Sequence, residues 1–411
     1  MDSMRILLVT NYFPPEIGAA SHLFYDLAEG LQARGHSVTV VTGFPRYNIR
    51  ELPANYRSKL WMSENINGIR VLRIATWPLK RSEFVRKVEY FTIAPILLLA
   101  ALNAGPHDVA LFYSPPITLG FTAACLGRLT RIPIVYNVQD IHPDALMDLG
   151  FLHEGDLLRL LKLAARFAYR SAAFVTVHSQ QNLEYLKERY VVPDEKLKVI
   201  PNWVDTDALR PGAKDNWFRK EYGLDGKFVI SFAGTMGTSQ DLDIVLDASL
   251  LLREYSDIQI VLVGDGLEKS RLQQRVAEAG LSNVTFIPMQ PRDKYPGVLH
   301  ASDVCLVTLK PGVVTPVVPS KLLSIMAAGR CMVAAVDPRG DAPEIIRRAQ
   351  CGFCVTPSAP RDLADAVLAV YRSPDRGEAM GLSGRRFVET HFSRDLCVSL
   401  YEDLFSSIKL Y

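Results

Sequence analysis

The sequence predicts an α/β protein built from two doubly wound parallel sheets. Three observations support this fold class. The chain has 411 residues, too many for one ordinary hydrophobic core. Short apolar runs alternate with amphipathic stretches in both halves, which is typical of parallel strands joined by helices. In each half, a strand is followed by a loop of small residues and then a helix, and such folds bind ligands at the carboxyl ends of their strands.

Composition and charge narrow the class of protein. Hydrophobic residues make up 48% of the chain and charged residues 22%, which is typical of a globular protein, and the net charge is only +2. The six cysteines are scattered, which favours reduced thiols in a cytoplasmic protein. Cys351 and Cys354 have metal or redox spacing, but neither a second pair nor a His cluster accompanies them.

Two apolar stretches could in principle be targeting or membrane segments. The run at 5–10 is typical of a buried strand, so we expect no signal peptide. The longest apolar run, 91–102, is interrupted by Pro95 and is too short to span a bilayer. We therefore expect a protein that is soluble or peripheral to a membrane.

The first half begins with a βαβ unit. A strand at 5–10, a helix at 21–34 and a strand at 38–41 surround the small residues Gly18 to Ala20. The loop lacks the GxGxxG spacing of dinucleotide sites, so its small residues either line a ligand or only let the loop approach a neighbour. Further strands are predicted at 70–74, 109–113, 134–138, 174–177 and 197–200.

Titratable side chains follow the strand at 134–138. Asp140, His142 and Asp144 lie in a loop at its carboxyl end, the edge of such sheets that hosts chemistry. Asp140 is therefore either a functional carboxylate or a cap for the next helix.

The second half follows a linker at 200–211. Strands are predicted at 227–233, 258–263, 284–288 and 304–308, with a helix at 242–255. Small-residue loops follow the first two strands and contain the glycines Gly234, Gly237, Gly264 and Gly266. This order of strand, glycine-rich loop and helix is typical of a mononucleotide-binding half.

A short helix from Ser320 to Gly329 is the strongest candidate site. Pro319 and Ser320 are helix start signals, the Ser320 oxygen is able to cap the first N–H groups, and Gly329 is a stop signal. Unpaired N–H groups and the positive dipole end suit a phosphate, and Lys321 adds a cation in the first turn. The alternative is a solvated lysine on an ordinary helix.

Several motifs together resemble the GT-B glycosyltransferases, and within them the retaining family 4. Closest are bacterial enzymes of O-antigen, capsule and colanic-acid assembly, including fucosamine transferases. The resemblance covers nearly the whole chain. The motifs that match the family are Asn11 to Pro15 with Gly18, Val138 to Asp140, Ile200 to Asp205, Gly234 with Gly237, Val263 to Gly266, Pro319 to Leu323, and Ala328 with Gly329.

The resemblance implies two Rossmann-like domains that face each other across a cleft. Residues 1–204 would bind the acceptor, 205–385 the nucleotide-sugar donor, and a C-terminal helix within 386–411 would pack back on the N-terminal domain. Lys321 and the backbone of Ser320, Leu322 and Leu323 would hold the diphosphate.

The remaining contacts also follow from the resemblance. The chain at Ile287 and Pro288 would hold the nucleobase, and Gly18 would lie close to the donor phosphates. Asp140 would serve the sugar side, and Asp140 with His142 are the candidates for acid–base help.

The chain departs from the family pattern at two places. Many relatives carry two Glu residues, of which the second binds the ribose. Pro316 and Ser324 occupy those two positions in this chain. Ser324 would then replace one ribose contact. Relatives also place an Arg and a Lys in the first loop of the second domain, where this chain has Thr235 and Gln240. Lys321 would therefore carry more of the charge of the departing diphosphate.

The resemblance implies a retaining reaction that transfers a sugar from a nucleotide-sugar donor to a polyprenyl-diphosphate-linked glycan. The donor would be UDP-linked, and an N-acetylamino sugar is one candidate for the transferred group. We expect no metal, no further cofactor and no nucleic-acid partner. Two alternatives stay open: a nucleotide-sugar epimerase of the same architecture, and a non-catalytic subunit of glycan assembly.

A basic segment in the first half suggests a membrane partner. Residues 46–87 hold ten Lys or Arg but three acidic residues, with four Tyr or Trp interleaved. This mixture suits an anionic membrane surface, so we expect a peripheral protein on the cytoplasmic face of the inner membrane. The alternative is a solvated face whose charges pair elsewhere. The cations are Arg46, Arg50, Arg57, Lys59, Arg70, Arg73, Lys80, Arg81, Arg86 and Lys87.

Overall fold

Two α/β units make up the fold, each built on its own sheet. A computed structural model describes residues 3–16, 18–45, 52–57, 59–75, 83–148, 150–312 and 318–408, with the backbone alone at 83–91. Unit 1 comprises Met1–Asn202 with Arg394–Tyr411, and unit 2 comprises Trp203–Ser393.

Unit 1 is built on an eight-stranded sheet with the order β3-β4-β2-β1-β5-β6-β7-β8. All neighbouring strands are parallel except β3 and β4. The strands are β1 Arg5–Val9, β2 Ser37–Gly43, β3 Trp61–Ile66, β4 Ile69–Ile74, β5 Val109–Ser114, β6 Ile134–Val138, β7 Phe174–Val177 and β8 Leu197–Val199. The helices are α1 Ala19–Ala33, α2 Glu83–Leu102, α3 Leu119–Thr130, α4 Asp144–Asp148, α5 Asp156–Ser171 and α6 Gln180–Tyr190.

The centre of this sheet is covered on both faces. Every residue of β5 and β6 is buried, which explains why both strands are continuous apolar runs in the sequence. Strand β3 differs because it lies at the sheet edge and pairs antiparallel, with no fully buried residue. The sequence prediction missed it for that reason.

Unit 2 contains a fully parallel six-stranded sheet with the order β11-β10-β9-β12-β13-β14. The strands are β9 Phe228–Ala233, β10 Ile258–Val263, β11 Val284–Ile287, β12 Val304–Thr308, β13 Cys331–Ala335 and β14 Gly352–Val355. The helices are α7 Trp217–Glu221, α8 Asp243–Leu252, α9 Lys269–Glu278, α10 Tyr295–His300, α11 Ser320–Ala327, α12 Asp341–Ala349, α13 Pro360–Tyr371 and α14 Pro374–His391. Two parallel-sheet α/β units confirm the predicted fold class.

The last helix, α15 Arg394–Ile408, belongs to unit 1 and packs against α1. The Glu402 carboxylate accepts a hydrogen bond from Arg34 at 2.8 Å and lies 3.0 Å from Nε2 of His36. The C-terminal stretch 386–411 therefore includes the end of α14, in unit 2, and α15, in unit 1. In the parts of the chain that are described, no helix has both the length and the apolar character needed to cross a bilayer.

Candidate functional site

Helix α11 begins at the carboxyl edge of the unit 2 sheet because it connects the parallel strands β12 and β13. The predicted helix start at Ser320 is confirmed, and the helix ends at Ala327 before Gly329, whose φ of +66° suits glycine. The predicted cap is wrong. Pro319 holds the N-cap position, and no side chain in the described ranges caps the first turn. The helix start therefore presents backbone N–H groups rather than a capped end.

Lys321 lies at this helix start, and no carboxylate of the described residues pairs with it. Its Nζ donates a hydrogen bond to Oε1 of Gln240 and lies 4.0 Å from the ring centroid of Phe232. Burial lowers the pKa of Lys321 to about 7. Among the described residues no acidic side chain opposes this shift. A half-buried cation whose described neighbours are an amide and an aromatic ring is suited to an incoming anion.

Two glycines bring the loops of unit 2 close to Lys321. Gly234 follows β9 with φ +143°, and a Cβ there would lie 2.5 Å from Cε of Lys321. Gly264 follows β10 with φ +154°, and a Cβ there would lie 1.9 Å from the Gly234 carbonyl oxygen. A side chain at Gly264 would push the two loops apart, and a side chain at Gly234 would displace the end of the Lys321 side chain. These glycines therefore allow the loops after β9 and β10 to pack closely beside Lys321 at the start of α11.

The neighbouring loop residues differ in how much space surrounds them. A Cβ at Gly266 would lie 2.4 Å from the Met236 carbonyl oxygen, so these loops also meet backbone to backbone. Among the described residues, no atom lies within 4 Å of such a Cβ at Gly237, and Thr235 is exposed. Gly264 and Gly266 thus let the two loops meet closely, whereas the described residues leave space around Thr235 and Gly237.

Three of the predicted donor contacts are limited to backbone atoms. The side chains of Ile287, Leu322 and Leu323 are buried in the core of unit 2. The Ile287 carbonyl accepts a hydrogen bond from the Gly264 amide at 3.0 Å. A nucleobase contact at Ile287 therefore does not involve its side chain.

Ser324 is engaged inside the protein. Its hydroxyl donates a hydrogen bond to the carbonyl oxygen of Ser320 at 3.4 Å, and it interacts with Tyr295, whose pKa is raised by burial. A ribose contact by Ser324 stays a prediction, and it would have to compete with these bonds.

In unit 1, Asp140 and His142 follow β6 as predicted. Asp140 is exposed, and among the described residues its carboxylate caps no helix. The protein around Asp140 nonetheless excludes enough solvent to raise the pKa of its carboxyl, while His142 opposes that rise. Burial lowers the pKa of His142, and its buried Nδ1 has no hydrogen-bond partner in the described parts of the chain. The pair offers a carboxylate and a neutral imidazole with an unused ring nitrogen.

A chain of amide side chains supports this loop. Asn202 donates to Gln139 at 2.7 Å, Gln139 donates to Asn137 at 2.9 Å, and Asn137 donates to the Tyr401 hydroxyl at 2.8 Å. Asn137 and Tyr401 are buried. The network joins the segment before Asp140 to the Pro201-Asn202 motif, 63 residues away. The sequence showed both motifs but not their contact.

The loop after β1 is held by Arg73. This side chain is buried, pairs with Glu64, and donates to the carbonyl oxygens of Pro14 and Gly43, the latter at 3.3 Å. The prediction that Arg73 belongs to a charged outer face is therefore wrong, because its charge is compensated inside unit 1. Gly18 follows this loop as the N-cap of α1 in extended conformation.

The rest of the basic segment is only partly described. Arg57, Lys59 and Arg70 are exposed, and Arg70 also donates to the Ala104 carbonyl at 3.1 Å. Trp61 is exposed beside Lys59. The other predicted cations lie outside the described residues or in the part with backbone alone; they are Arg46, Arg50, Lys80, Arg81, Arg86 and Lys87.

Sequence reasoning missed three contacts near the helix start of α11. Phe232 lies under the Lys321 ammonium, Gln240 accepts its hydrogen bond, and Lys269 donates to the Gly264 carbonyl at 2.9 Å. The sequence pattern identifies Gln240 only as a replacement for a cation. Within the described ranges, no group of three or more His, Cys, Asp or Glu side chains is arranged to hold a metal ion.

Two family models match the chain. The model described as "Glycosyl transferase 4-like domain" matches residues 18–203, and the model described as "Glycosyl transferases group 1" matches residues 227–373. Together the two matches span most of the chain, and they correspond to units 1 and 2.

Known proteins resemble the chain in sequence and in fold. WcaI of Escherichia coli (strain K12), named as a putative colanic acid biosynthesis glycosyl transferase, is 27% identical over 79% of this chain and 82% of its own length. Sucrose-phosphate synthase from Thermosynechococcus elongatus has a TM-score of 0.77 at 18% identity, covering 98% of this chain and 100% of its own. HepE of Anabaena, solved in complex with UDP, has a TM-score of 0.74 at 20% identity with the same coverage.

Proposed function

The chain belongs to the glycosyltransferases of GT-B fold in family 4, and we propose that it transfers a sugar from a UDP-linked donor to a polyprenyl-diphosphate-linked glycan in surface polysaccharide assembly, with retention of anomeric configuration. The family membership rests on the two matched models. An N-acetylamino sugar is one candidate for the transferred group.

One observation carries the donor site. Lys321 lies at an uncapped helix start, beside two glycine loops and without a carboxylate partner in the described chain. Partly burying an ammonium in this way is unfavourable unless a ligand compensates its charge. A diphosphate supplies that charge, and the helix N–H groups supply hydrogen bonds to its oxygens. The structure of HepE in complex with UDP supports the choice of nucleotide.

The chemistry needs stabilisation of a leaving diphosphate. During transfer the bond between the sugar anomeric carbon and the diphosphate oxygen breaks, and negative charge builds on that oxygen. The acceptor hydroxyl oxygen attacks the same face of the sugar, and its proton passes to the departing phosphate. Lys321 and the N–H groups of α11 stabilise the developing charge in place, which is the main catalytic contribution that this chain offers.

Asp140 and His142 serve the sugar and acceptor side in this proposal. The Asp140 carboxylate accepts a hydrogen bond from a sugar or acceptor hydroxyl and so orients it. His142, kept neutral by its lowered pKa, is able to accept or relay a proton through Nδ1. The network from Asn202 through Gln139 fixes the loop that carries both residues.

The acceptor and its location are proposed from the relatives and from the surface of unit 1. WcaI is named for colanic acid biosynthesis, a glycan assembly process. A polyprenyl-diphosphate acceptor lies in a bilayer, so the enzyme has to meet a membrane. The surface of unit 1 carries exposed cations and exposed apolar side chains that suit a bilayer, and we propose that the protein is peripheral on the cytoplasmic face of the inner membrane.

A donor screen tests the proposal. Purified protein is heated with UDP-, GDP-, dTDP- and ADP-sugars. A true donor at about a hundredfold over its Kd stabilises the protein by roughly 2.7 kcal/mol. We expect stabilisation by UDP-sugars and its loss in Lys321→Met. Stabilisation by UDP-sugars that is equal in both proteins would remove Lys321 from the donor site.

A further inference from the structure

Helix α5 of unit 1 exposes an apolar stripe on its outer side. Leu157, Leu160 and Leu163 are 55%, 63% and 59% exposed. Their spacing places them on one side of the helix, together with Phe167. A second side, which includes Leu158 and other residues, is buried in unit 1. The helix thus has more apolar surface than its own fold uses.

The stripe continues onto α3. Phe121 is 44% exposed, and its ring stacks on that of Phe167 with centroids 5.3 Å apart. The two helices approach closely because Gly120 faces Ala168, where an added Cβ would lie 2.2 Å from the alanine Cβ. Leu129, also on α3, is 67% exposed. Large apolar side chains therefore form a face that spans two adjacent helices.

Cations border this face. The sixteen-residue helix α5 carries four basic residues and one acidic residue. At 3.6 residues per turn the four basic side chains cluster on the side between the apolar stripe and the buried side. Arg159 and Arg170 are exposed, and Lys162 pairs with Asp144 at 3.3 Å while Arg159 pairs with Asp156 at 3.2 Å. The basic residues are Arg159, Lys162, Arg166 and Arg170.

A further guanidinium comes from α3. Arg128 lies over the ring of Phe167 at 5.4 Å from its centroid. Arg128 is exposed, so its charge lies against the aromatic pair and still reaches the solvent side of this face.

We propose that the exposed face of α5 and α3 is the surface by which unit 1 lies on an anionic lipid bilayer. This inference rests on the proposed function, which requires a lipid-linked acceptor. A polar helix face rich in Lys and Arg beside a face of Leu and Phe is the pattern of helices that lie in the plane of a membrane interface. Helix α5 would extend about 24 Å along that plane. The leucines enter the interface, and the cations meet lipid phosphates.

Vesicle co-sedimentation tests the proposal. Full-length protein is mixed with vesicles of phosphatidylcholine alone and with vesicles that also contain phosphatidylglycerol. We expect binding to rise with phosphatidylglycerol and to fall with salt. The apolar variant carries Leu157→Ser, Leu160→Ser and Leu163→Ser, and we expect it to weaken partitioning by roughly tenfold or more. The charge variant, Arg159→Ser with Arg170→Ser, should remove the preference for anionic vesicles.

Matched controls distinguish this face from the rest of the protein surface. Leu251→Ser, Leu267→Ser and Leu382→Ser change three leucines of unit 2 that are 42%, 90% and 51% exposed, and binding should stay at the wild-type level. A second control changes Lys80, Arg81, Arg86 and Lys87 to Ser. If this control loses vesicle binding while the apolar variant keeps it, the basic segment is the docking surface and the proposal is wrong.

Two further readouts complete the test. UDP-sugar stabilisation should be unchanged in the apolar variant, so a failed donor screen and a failed vesicle assay remain distinguishable. Light scattering measures the oligomeric state. A wild-type dimer that the apolar variant converts to a monomer, without any vesicle binding, would assign the face to a second copy of the chain and overturn the proposal.

Discussion

The charge of Lys321 predicts that UDP binding takes up a proton. Burial lowers the pKa of Lys321 to about 7, against an ordinary value of 10.5. At pH 7 about half of the unliganded molecules therefore carry a neutral lysine. A bound diphosphate favours the ammonium and raises the pKa again. Binding above pH 7 thus includes protonation of Lys321.

The magnitude follows from the protonated fraction. Between pH 7.5 and 8.5 the ammonium form of a group with a pKa of about 7 falls by about eightfold, and the Kd for UDP should rise by the same factor. The phosphate itself, with a second pKa of about 6, stays ionised throughout this window.

Isothermal titration calorimetry with UDP measures both quantities. Titrations in buffers with different ionisation enthalpies give the number of protons taken up, which should approach about one per UDP at pH 8.5. The matched variant Lys321→Arg stays charged and should give a Kd that does not change with pH in this window. A wild-type Kd that is equally independent of pH, with no proton uptake, would refute the reasoning.

Four further predictions concern the same sites. Lys321→Met should raise the free energy of unfolding at pH 7 by on the order of 1–3 kcal/mol, because the depressed pKa of Lys321 makes wild-type stability increase as pH rises from about 7 toward 10.5. Chemical denaturation at pH 7 and pH 10 measures this, and a destabilised variant would contradict it. Gly234→Ala should lower the melting temperature because of the positive φ at Gly234 and its contact with Lys321. Gly237→Ala, which meets no atom of the described residues, should melt like wild type and lose UDP affinity; equal melting temperatures for all three proteins would show that the Gly234 loop is not constrained as described. Asp140→Asn should reduce kcat by roughly 10²-fold while calorimetry shows unchanged UDP affinity. An unchanged kcat would show that Asp140 is an ordinary loop residue with no role in catalysis. EDTA should leave transfer intact, since Lys321 and the α11 N-terminus supply the positive charge; complete loss of activity that Mg²⁺ or Mn²⁺ restores would contradict this.

The parallel framework was predictable from the sequence because buried parallel strands are continuous apolar runs. Strands β6 and β10 have the predicted bounds, Ile134–Val138 and Ile258–Val263. Edge strand β3 was not predictable in this way, since partial exposure along Trp61–Ile66 removes the apolar run. The apolar pattern of a strand in the sequence depends on how much of the strand is buried, and an edge strand is the least buried strand of a sheet.

The sequence also could not show which charged and polar side chains meet. Arg73 was counted with the surface cations, although Glu64 and two carbonyl oxygens compensate its charge inside unit 1. Gln240 and Lys321 are 81 residues apart and share a hydrogen bond. Composition and spacing locate such residues along the chain, but only the packed fold decides whether a charge is paired, buried or exposed.

Transfer itself is the most direct test of the proposed function. Purified protein is incubated with UDP-sugars and with lipid-linked oligosaccharides extracted from membranes, and mass spectrometry follows the acceptor and the nucleotide together. We predict that one donor adds a single sugar to a polyprenyl-diphosphate-linked glycan, releases one UDP per sugar added, and that Lys321→Met abolishes both changes. Conversion of the donor to a sugar isomer without any acceptor, or the absence of UDP release with every donor, would contradict the assignment of this chain as a UDP-sugar transferase.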